Sequence, residues 1–542
     1  MAGFTGYLLD PSSLTILATV AGLGTIVWFA AVVIYRINFH PLAHIPGPFL
    51  ARATHLYSFY FNGILDGKLY LQIDKLHQIY GMIRSWYIYK YEKSKPSLLE
   101  YYVGPVIRIT PDEIHLSNPE NYDKIYHVGT PYNKSAPFYD AFGVDKATFT
   151  TADNNVHRMK RAAFNPFFSR KRVLELEGIV QSKAKTLVRR ISTALKTCGG
   201  IDLHHGFRAI SIDVISDYAF DNCYNFLEKE DFGAPFFDMI RGFGPMFWFF
   251  QQFPVLRPIL LGVPPWVAHL TSPSLTRMLQ FHQSSREQVV RVKRQVEANE
   301  KPERTTIFHQ FLNPEFMKEI PTVEQLKDEA YIVVAAAADT TGNAMTIGLY
   351  NTVSSPKIYA AVTAELREAF PDPNGDIDFV TLEKLPYFLY APRQQLTGYI
   401  SLSFGVAGRL PRVVPESGAE FDGYKVPAGT TVGMSSWTMH RNQDIFPDPD
   451  KFDPSRWLDP KVSAELEKYL VAFSKGSRAC VGMQLAACEL YVTLGSVLRN
   501  FPDLTIKPKT REELLYMDYF SSYHPEKYNK FYFELPSSKA EA

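Results

Sequence analysis

Apolar and polar positions alternate in different ways along the chain. From Leu14 to Tyr35 the run LTILATVAGLGTIVWFAAVVIY carries no charge over 22 residues. As a helix rising about 1.5 Å per residue it spans a hydrocarbon layer of ~30 Å, which predicts one transmembrane anchor behind a short N-terminal segment, residues 1–13. A cleaved secretory signal has a basic start, a shorter apolar run and a small-residue cleavage site. Here Asp10 is the only charge before the run, and Arg36, Arg52 and neighbouring histidines follow it. That bias places the bulk of the protein on the cytosolic side.

Residues 36–49 end in HPLAHIPGPF, whose prolines predict a stiff, non-helical linker. Beyond it, residues 50–542 read as one continuous unit without internal repeats. The middle shows 3.6-residue periodicity, as in RVLELEGIVQSKAKTLVRRISTALK at 172–196, where apolar positions recur three and four apart and predict a helix. The last third mixes short β-branched runs with dense turn residues, as in GRLPRVVP and DGYKVPAGTTVGMSSW, predicting short strands. The expected fold class is mainly α with small β-sheets (α+β).

Composition changes this picture little. The formal charge of +1 gives no electrostatic case for a nucleic-acid partner. The excess is aromatic, with 39 Phe and 31 Tyr, concentrated in stretches such as GFGPMFWFFQQFPVLRPILLGVPPWV at 242–267. That stretch reads either as core or as an apolar surface meeting a bilayer or an apolar ligand. Four cysteines, Cys198, Cys223, Cys480 and Cys488, are too few and too far apart for a disulfide framework or a paired-cysteine zinc site.

One of the four has a distinctive setting. FSKGSRACVGMQLAACELYVTLGSVLRNF, residues 473–501, puts Cys480 just before an apolar-periodic segment of good helix formers, so its sulfur faces a helix N-terminus, which favours thiolate. Gly476 and Gly482 permit a tight turn and close approach by a flat ligand. Phe473, Gly476, Arg478, Cys480 and Gly482 match every fixed position of the pattern FxxGxRxCxG, so the chain resembles the cytochromes P-450, the haem-thiolate monooxygenases. The resemblance implies a cytochrome P-450 fold behind the anchor and an iron protoporphyrin with Cys480 as its axial ligand. It also implies Phe473 beside the sulfur, backbone donors near Gly482, and Arg478 on a propionate.

Further segments are similar to the same family. EAYIVVAAAADTTGNAMTIGLY, 329–350, resembles its oxygen-side helix, with Asp339 and Thr340 as the acid and alcohol that relay protons. Ala337 stands where the family usually has Gly. In HRMKRAAFNPFFS, 157–169, Arg161 corresponds to a propionate-binding arginine and His157 to the usual Trp. Arg409, in GRLPRVVP, matches a position that often faces a propionate, and FDPSRW, with Arg456, resembles the arginine-containing bracing segment.

Two stretches depart from the pattern. The family's Glu-x-x-Arg pair, which bonds the bracing arginine, would fall at Gly398 and Ser401, and nowhere in the chain is a glutamate followed three residues later by arginine. The foreign stretch covers 388–400. MIRSWYIYKYEKSKPSLLEYYV, 82–103, separates LHQIYG from PVIRITPDEIH, which relatives join directly. Both read as translated introns in a faulty gene model, and Arg456 is expected to lack its partners.

The function implied by the resemblance is haem-dependent monooxygenation of an apolar secondary metabolite (terpenoid, polyketide or alkaloid). The enzyme would sit at the cytosolic face of the endoplasmic reticulum membrane. Electrons would come from an NADPH-cytochrome P-450 reductase, with cytochrome b5 as a further candidate donor. PYNKSAPFYDAF, 131–142, and the aromatic stretch are candidate substrate walls. Alternatives are a haem-deficient pseudoenzyme, because the pair is missing, and a haem-thiolate isomerase or dehydratase.

Overall fold

The uncharged run is helical: α1 spans Pro11–Ile34 and continues as a π-helical turn over Tyr35–Phe39. The computed structural model describes residues 11–87, 104–300, 302, 304–315, 317, 319–386, 388 and 406–536. Along α1 apolar side chains such as Ile26, Val27 and Phe29 stand in the open, as a helix surrounded by lipid requires. The linker differs from its expectation. Its first residues keep turning as a helix, and the rest is docked on the body, with Leu42 and Ile45 buried. The cause is Arg108, a fully buried guanidinium that donates to the carbonyls of Arg36 at 2.9 Å and Leu42 at 3.3 Å.

The body is mainly helical. Helix α2, Leu69–Tyr87, leads towards a five-stranded sheet whose first strands are β1, Val106–Arg108, and β2, Glu113–Leu116. Helix α2 covers the first six residues of the expected insertion at 82–103, and residues 88–103 lie outside the described residues. The two flanks meet. The amide of Gly104 donates to the carbonyl of His77 at 2.8 Å, and a Cβ on Gly104 would stand 2.9 Å from the nitrogen of Gly81.

The sheet gains β3, Asn133–Lys134, and two strands from the last third. Helices α3, Asn154–Phe164, α4, Glu177–Cys198, α5, His204–Phe220, α6, Ala234–Arg241, α7, Pro273–Glu297, and α8, Val323–Val353, form the bundle. The helix predicted over 172–196 is two, because the chain breaks at Leu176 between Arg170–Glu175 and α4. Along α4, Val180, Ala184, Leu187, Ile191 and Leu195 are buried on one stripe, and Gly199 ends the helix at φ 73°. Helix α8 is the central element. A capping box between Thr322 and Gln325 starts it, and α5, α7 and the later helix α9, Met483–Asn500, pack around it.

Strands β4, Arg412–Val413, and β5, Thr431–Gly433, complete the sheet in the order β1-β2-β5-β4-β3. β2 pairs parallel with β5 and the others are antiparallel, which sets Lys134 directly opposite Arg412. A three-stranded sheet near the C-terminus joins Tyr532–Glu534 to Gly200–Asp202 and Thr505–Ile506. The aromatic stretch divides between its two readings. Phe243, Phe247, Trp248 and Phe250 are core, whereas Val255, Ile259 and Trp266 are exposed.

Candidate active site

Between α8 and the start of α9 lies a cavity of about 340 Å³. Its floor is the loop ahead of α9. Gly476 has φ 70°, and a Cβ there would stand 2.4 Å from the carbonyl of His127, so this turn admits glycine. The loop closes where the amide of Cys480 donates to the carbonyl of Phe473 at 2.9 Å. The Cys480 side chain is accessible and borders the cavity, where Phe473 and Gly482 also lie. Nothing stands within 4 Å of where a Cβ on Gly482 would be, so a larger residue there would project into free space of the cavity. Burial pushes the Cys480 thiol up, opposed by the Gly482 N–H and the Arg161 charge. A thiolate at this depth needs a bound cation.

One wall carries cations without carboxylate partners. Arg161, Arg412, Arg478 and Lys134 all border the cavity, and among the described residues none of them forms an ion pair. Arg478 is held by Asn154 Oδ1 at 2.9 Å and the carbonyls of Thr151 and Ala152, both at 2.7 Å. Arg161 donates to Asn165 Oδ1 at 2.8 Å and the carbonyl of Ala479 at 2.9 Å. Arg412 Nε is buried without a hydrogen-bond partner. Burial, followed by Arg412, Arg478 and Arg161, pushes Lys134 well below the usual ammonium range. His157 is pushed down to about 3 by burial and the same cations, so it is neutral. Like charges set opposite each other across a β-ladder are unfavourable unless an anion lies between them.

The opposite wall is α8. Ala335, Ala336 and Ala337 let its backbone come close, and Thr340 faces the cavity with its hydroxyl donating to the carbonyl of Ala336 at 2.6 Å. Asp339 faces elsewhere. Its fully buried carboxylate accepts from Arg208 Nε at 2.7 Å and lies 3.4 Å from Arg241. Arg208 Nη1 also donates to the carbonyl of His204 at 2.8 Å. Beyond α8 the cavity is aromatic, with Tyr139, Phe142, Phe149, Phe243, Tyr331 and Phe520 on its walls. Two carboxyls border it: Glu329, which burial pushes up to about 7, and Glu489, which burial pushes up to about 8.

Of the residues singled out from sequence, Cys480, Phe473, Gly482, Arg478, Arg161, His157 and Thr340 come together at this cavity. Asp339 and Arg409 do not border it. Arg409 is buried in an ion pair with Glu113, with Nη2 donating to Glu113 Oε2 at 3.1 Å. Arg412, three residues on, takes the place at the cavity. In an extended segment an odd spacing puts two side chains on opposite faces, so only one of the two arginines can face inward. Lys134, Arg412, Glu329 and Glu489 were not singled out, although all four lie in segments already noted. Of the two candidate substrate walls, Lys134, Tyr139, Phe142 and Phe243 reach the cavity. Gly398 and Ser401 lie outside the described residues. Arg456 is half-buried and donates to the carbonyls of Pro447 at 2.8 Å, Asp453 and Lys451 at 3.3 Å, and Asp448 at 3.4 Å.

Comparison with known proteins agrees with the fold and the cysteine loop. The family model for cytochrome P-450 matches residues 93–529. The chain belongs to this family, whose members hold a haem through a cysteine thiolate and incorporate an atom of dioxygen into their substrates. Among its relatives is the cytochrome P-450 monooxygenase tpcC of Cochliobolus heterostrophus, 32% identical over 90% of this chain and 89% of that protein. Tryptophan 6-hydroxylase fscE of Fusarium equiseti is 31% identical over 86% of this chain and 87% of its own. Conidiogenone synthase of Penicillium rubens is 29% identical over 88% and 91%.

The residues at the cavity fit the group. Cys480 would supply the sulfur ligand, the bare face of Gly482 leaves room for a flat ring, and the unpaired cations suit its two carboxylates.

Proposed function

We propose that the protein is a monooxygenase of fungal secondary metabolism that oxidises an apolar, ring-containing substrate with dioxygen and NADPH-derived electrons. One observation carries this reading. A single cavity joins Cys480, a wall of unpaired cations and an aromatic chamber, so a haem site and an apolar substrate site are continuous. The names of its relatives, among them a tryptophan hydroxylase and a conidiogenone synthase, support a ring-bearing secondary metabolite.

In this reading Cys480 would ligate the iron, and Arg412, Arg478, Arg161 and Lys134 would hold the propionates. When bound, a haem with a thiolate ligand supplies dioxygen activation and oxygen insertion. The chain's own residues do the rest. The aromatic chamber excludes water and orients the substrate, and Thr340 holds a hydroxyl proton at the cavity wall. Asp339 acts as a positioning residue, because its carboxylate is committed to Arg208 on the far side of the helix.

The anchor attaches the protein to a membrane, for which we propose the endoplasmic reticulum, with a reductase in the same membrane as electron donor. Exposed Phe49, Leu50, Leu56 and Tyr60 near the anchor, and Val255, Ile259, Trp266 and Leu270, give a second apolar face for the bilayer. The two groups adjoin through the rings of Phe59 and Phe253, 5.5 Å apart.

The test is a carbon-monoxide difference spectrum of the reduced, membrane-bound chain. The thiolate-haem band is expected in the wild type and absent in Cys480→Ala. Its absence from a folded wild type would favour a pseudoenzyme, and substrate turnover independent of NADPH would favour an isomerase or dehydratase.

A further inference from the structure

Glu329 is a buried acid for which proton relay and haem binding have no use. It sits near the start of α8, and Thr148 donates to its Oε1 twice, from the amide at 2.7 Å and from the hydroxyl at 2.6 Å. Its Oε2 makes no hydrogen bond and is not sealed off, so on a residue that borders the cavity it is open to that space. Among the described residues Glu329 has no ion pair. Its neighbour Asp328 is occupied, lying 3.2 Å from Lys327 and accepting from the amide of Lys146 at 3.0 Å. Of these two adjacent carboxylates only Glu329 offers an oxygen to the cavity.

The surroundings make that oxygen stand out. The cavity it borders is lined by Phe142, Phe149, Phe243 and Tyr331, while the nearest cations are engaged elsewhere, Lys134 over the Phe149 ring at 4.0 Å and Lys160 donating to the carbonyl of Lys146 at 2.8 Å. A buried carboxyl with one free oxygen costs stability unless something pairs with it. Two donors from Thr148, its amide and its hydroxyl, fix its direction, which is how a specificity-setting polar group in an apolar pocket is held. Burial pushes it up to about 7, so near neutrality a donor on the ligand readily draws it into its charged, accepting form.

Glu329 and Thr340 are eleven residues apart, about three turns, so they share a face of α8 roughly 16 Å apart along the axis. A molecule that touches both is elongated or polycyclic.

We propose that Glu329 is the polar anchor of the substrate site, accepting a hydrogen bond from a hydroxyl or N–H on an otherwise apolar skeleton and so deciding which end lies against Thr340. This rests on the monooxygenase reading of the cavity and adds the substrate's functional group.

The experiment uses the full-length, haem-loaded protein, its Glu329→Gln and Glu329→Leu variants, and matched elongated probes differing in one donor: 1-dodecanol with its methyl ether, and testosterone with its 17-methyl ether. Binding is read from the haem Soret band and, without reliance on haem, from the rise in Tm. The wild type is expected to favour the donor-bearing member of each pair about tenfold or more. Glu329→Gln should keep part of that preference, and in Glu329→Leu the pairs should bind within about twofold. Equal binding of both members to the wild type overturns the proposal, as does a preference that survives in Glu329→Leu. A missing thiolate-haem band would instead count against the reading of the cavity, and the Tm arm would still decide the role of Glu329.

Discussion

Replacing Asp339 with Asn separates two roles that a carboxylate on the oxygen-side helix could have. In the structure it is the principal counter-charge of Arg208, both side chains being fully buried with 2.7 Å between them. Removing one partner of a buried pair strands the other charge, at a cost of about 3–5 kcal/mol. Unfolding entropy scales at ~2.1 cal/mol/K per residue, so a chain of this length loses roughly 1 °C in Tm per kcal/mol. Asp339→Asn should therefore lower the apparent Tm by roughly 3–5 °C. Pairing it with Arg208→Met, which removes the stranded cation, should restore most of the loss. Thermal unfolding followed by circular dichroism, with product formed per NADPH consumed measured alongside, gives both readouts. A Tm within about 1 °C of wild type combined with a tenfold or greater loss of coupled turnover would refute the reasoning, because the carboxylate would then act at the cavity.

Lys134→Met combined with Arg412→Met should release haem at least about tenfold more readily in a haem-to-protein ratio after dialysis, while raising the Tm of haem-free protein by relieving like-charge repulsion. Glu489→Gln should change the pH profile of stability. Burial raises the folded-state pKa of Glu489 to about 8, so its contribution is fully present below about pH 4.5 and lost as pH rises through 8. The Gln variant should match wild type near pH 5 and exceed it at pH 8.5 by on the order of 3–5 kcal/mol, read as a Tm difference. Deleting residues 82–103 and joining Gly81 to Gly104 should leave Tm and the thiolate-haem band unchanged, because the flanking residues already touch. Transcript sequencing addresses the origin of both unusual stretches, and a message containing them would end the intron explanation.

How legible the site was depended on how local each feature is. The Cys480 loop is encoded within ten residues, where Gly476 sets a turn and Cys480 bonds back to Phe473. The anchor and α4 follow from uninterrupted patterns. Arg412 and Lys134 meet only through a strand register that joins segments 278 positions apart, and no local pattern reports it. Glu329 gets its direction from Thr148, 181 residues earlier. Asp339 and Thr340 illustrate a geometric limit. Adjacent residues on an α-helix point about 100° apart, so an acid and an alcohol side by side in sequence need not face the same way. Helix α8 resolves this by turning the hydroxyl inward and the carboxylate towards Arg208.

The contact between Gly81 and Gly104 also has a use at the bench. Near the two ends of the described chain lie the exposed apolar helix α1 and Tyr532–Glu534, which pairs with Gly200–Asp202 in a sheet. A reporter fused to either end would hang on a structural element. Lengthening a loop whose ends already meet costs only about 0.6 kcal/mol per doubling. The segment between Tyr87 and Gly104 is therefore the place to graft a fluorescent or affinity domain that follows the enzyme without loading its anchor or its terminal strand.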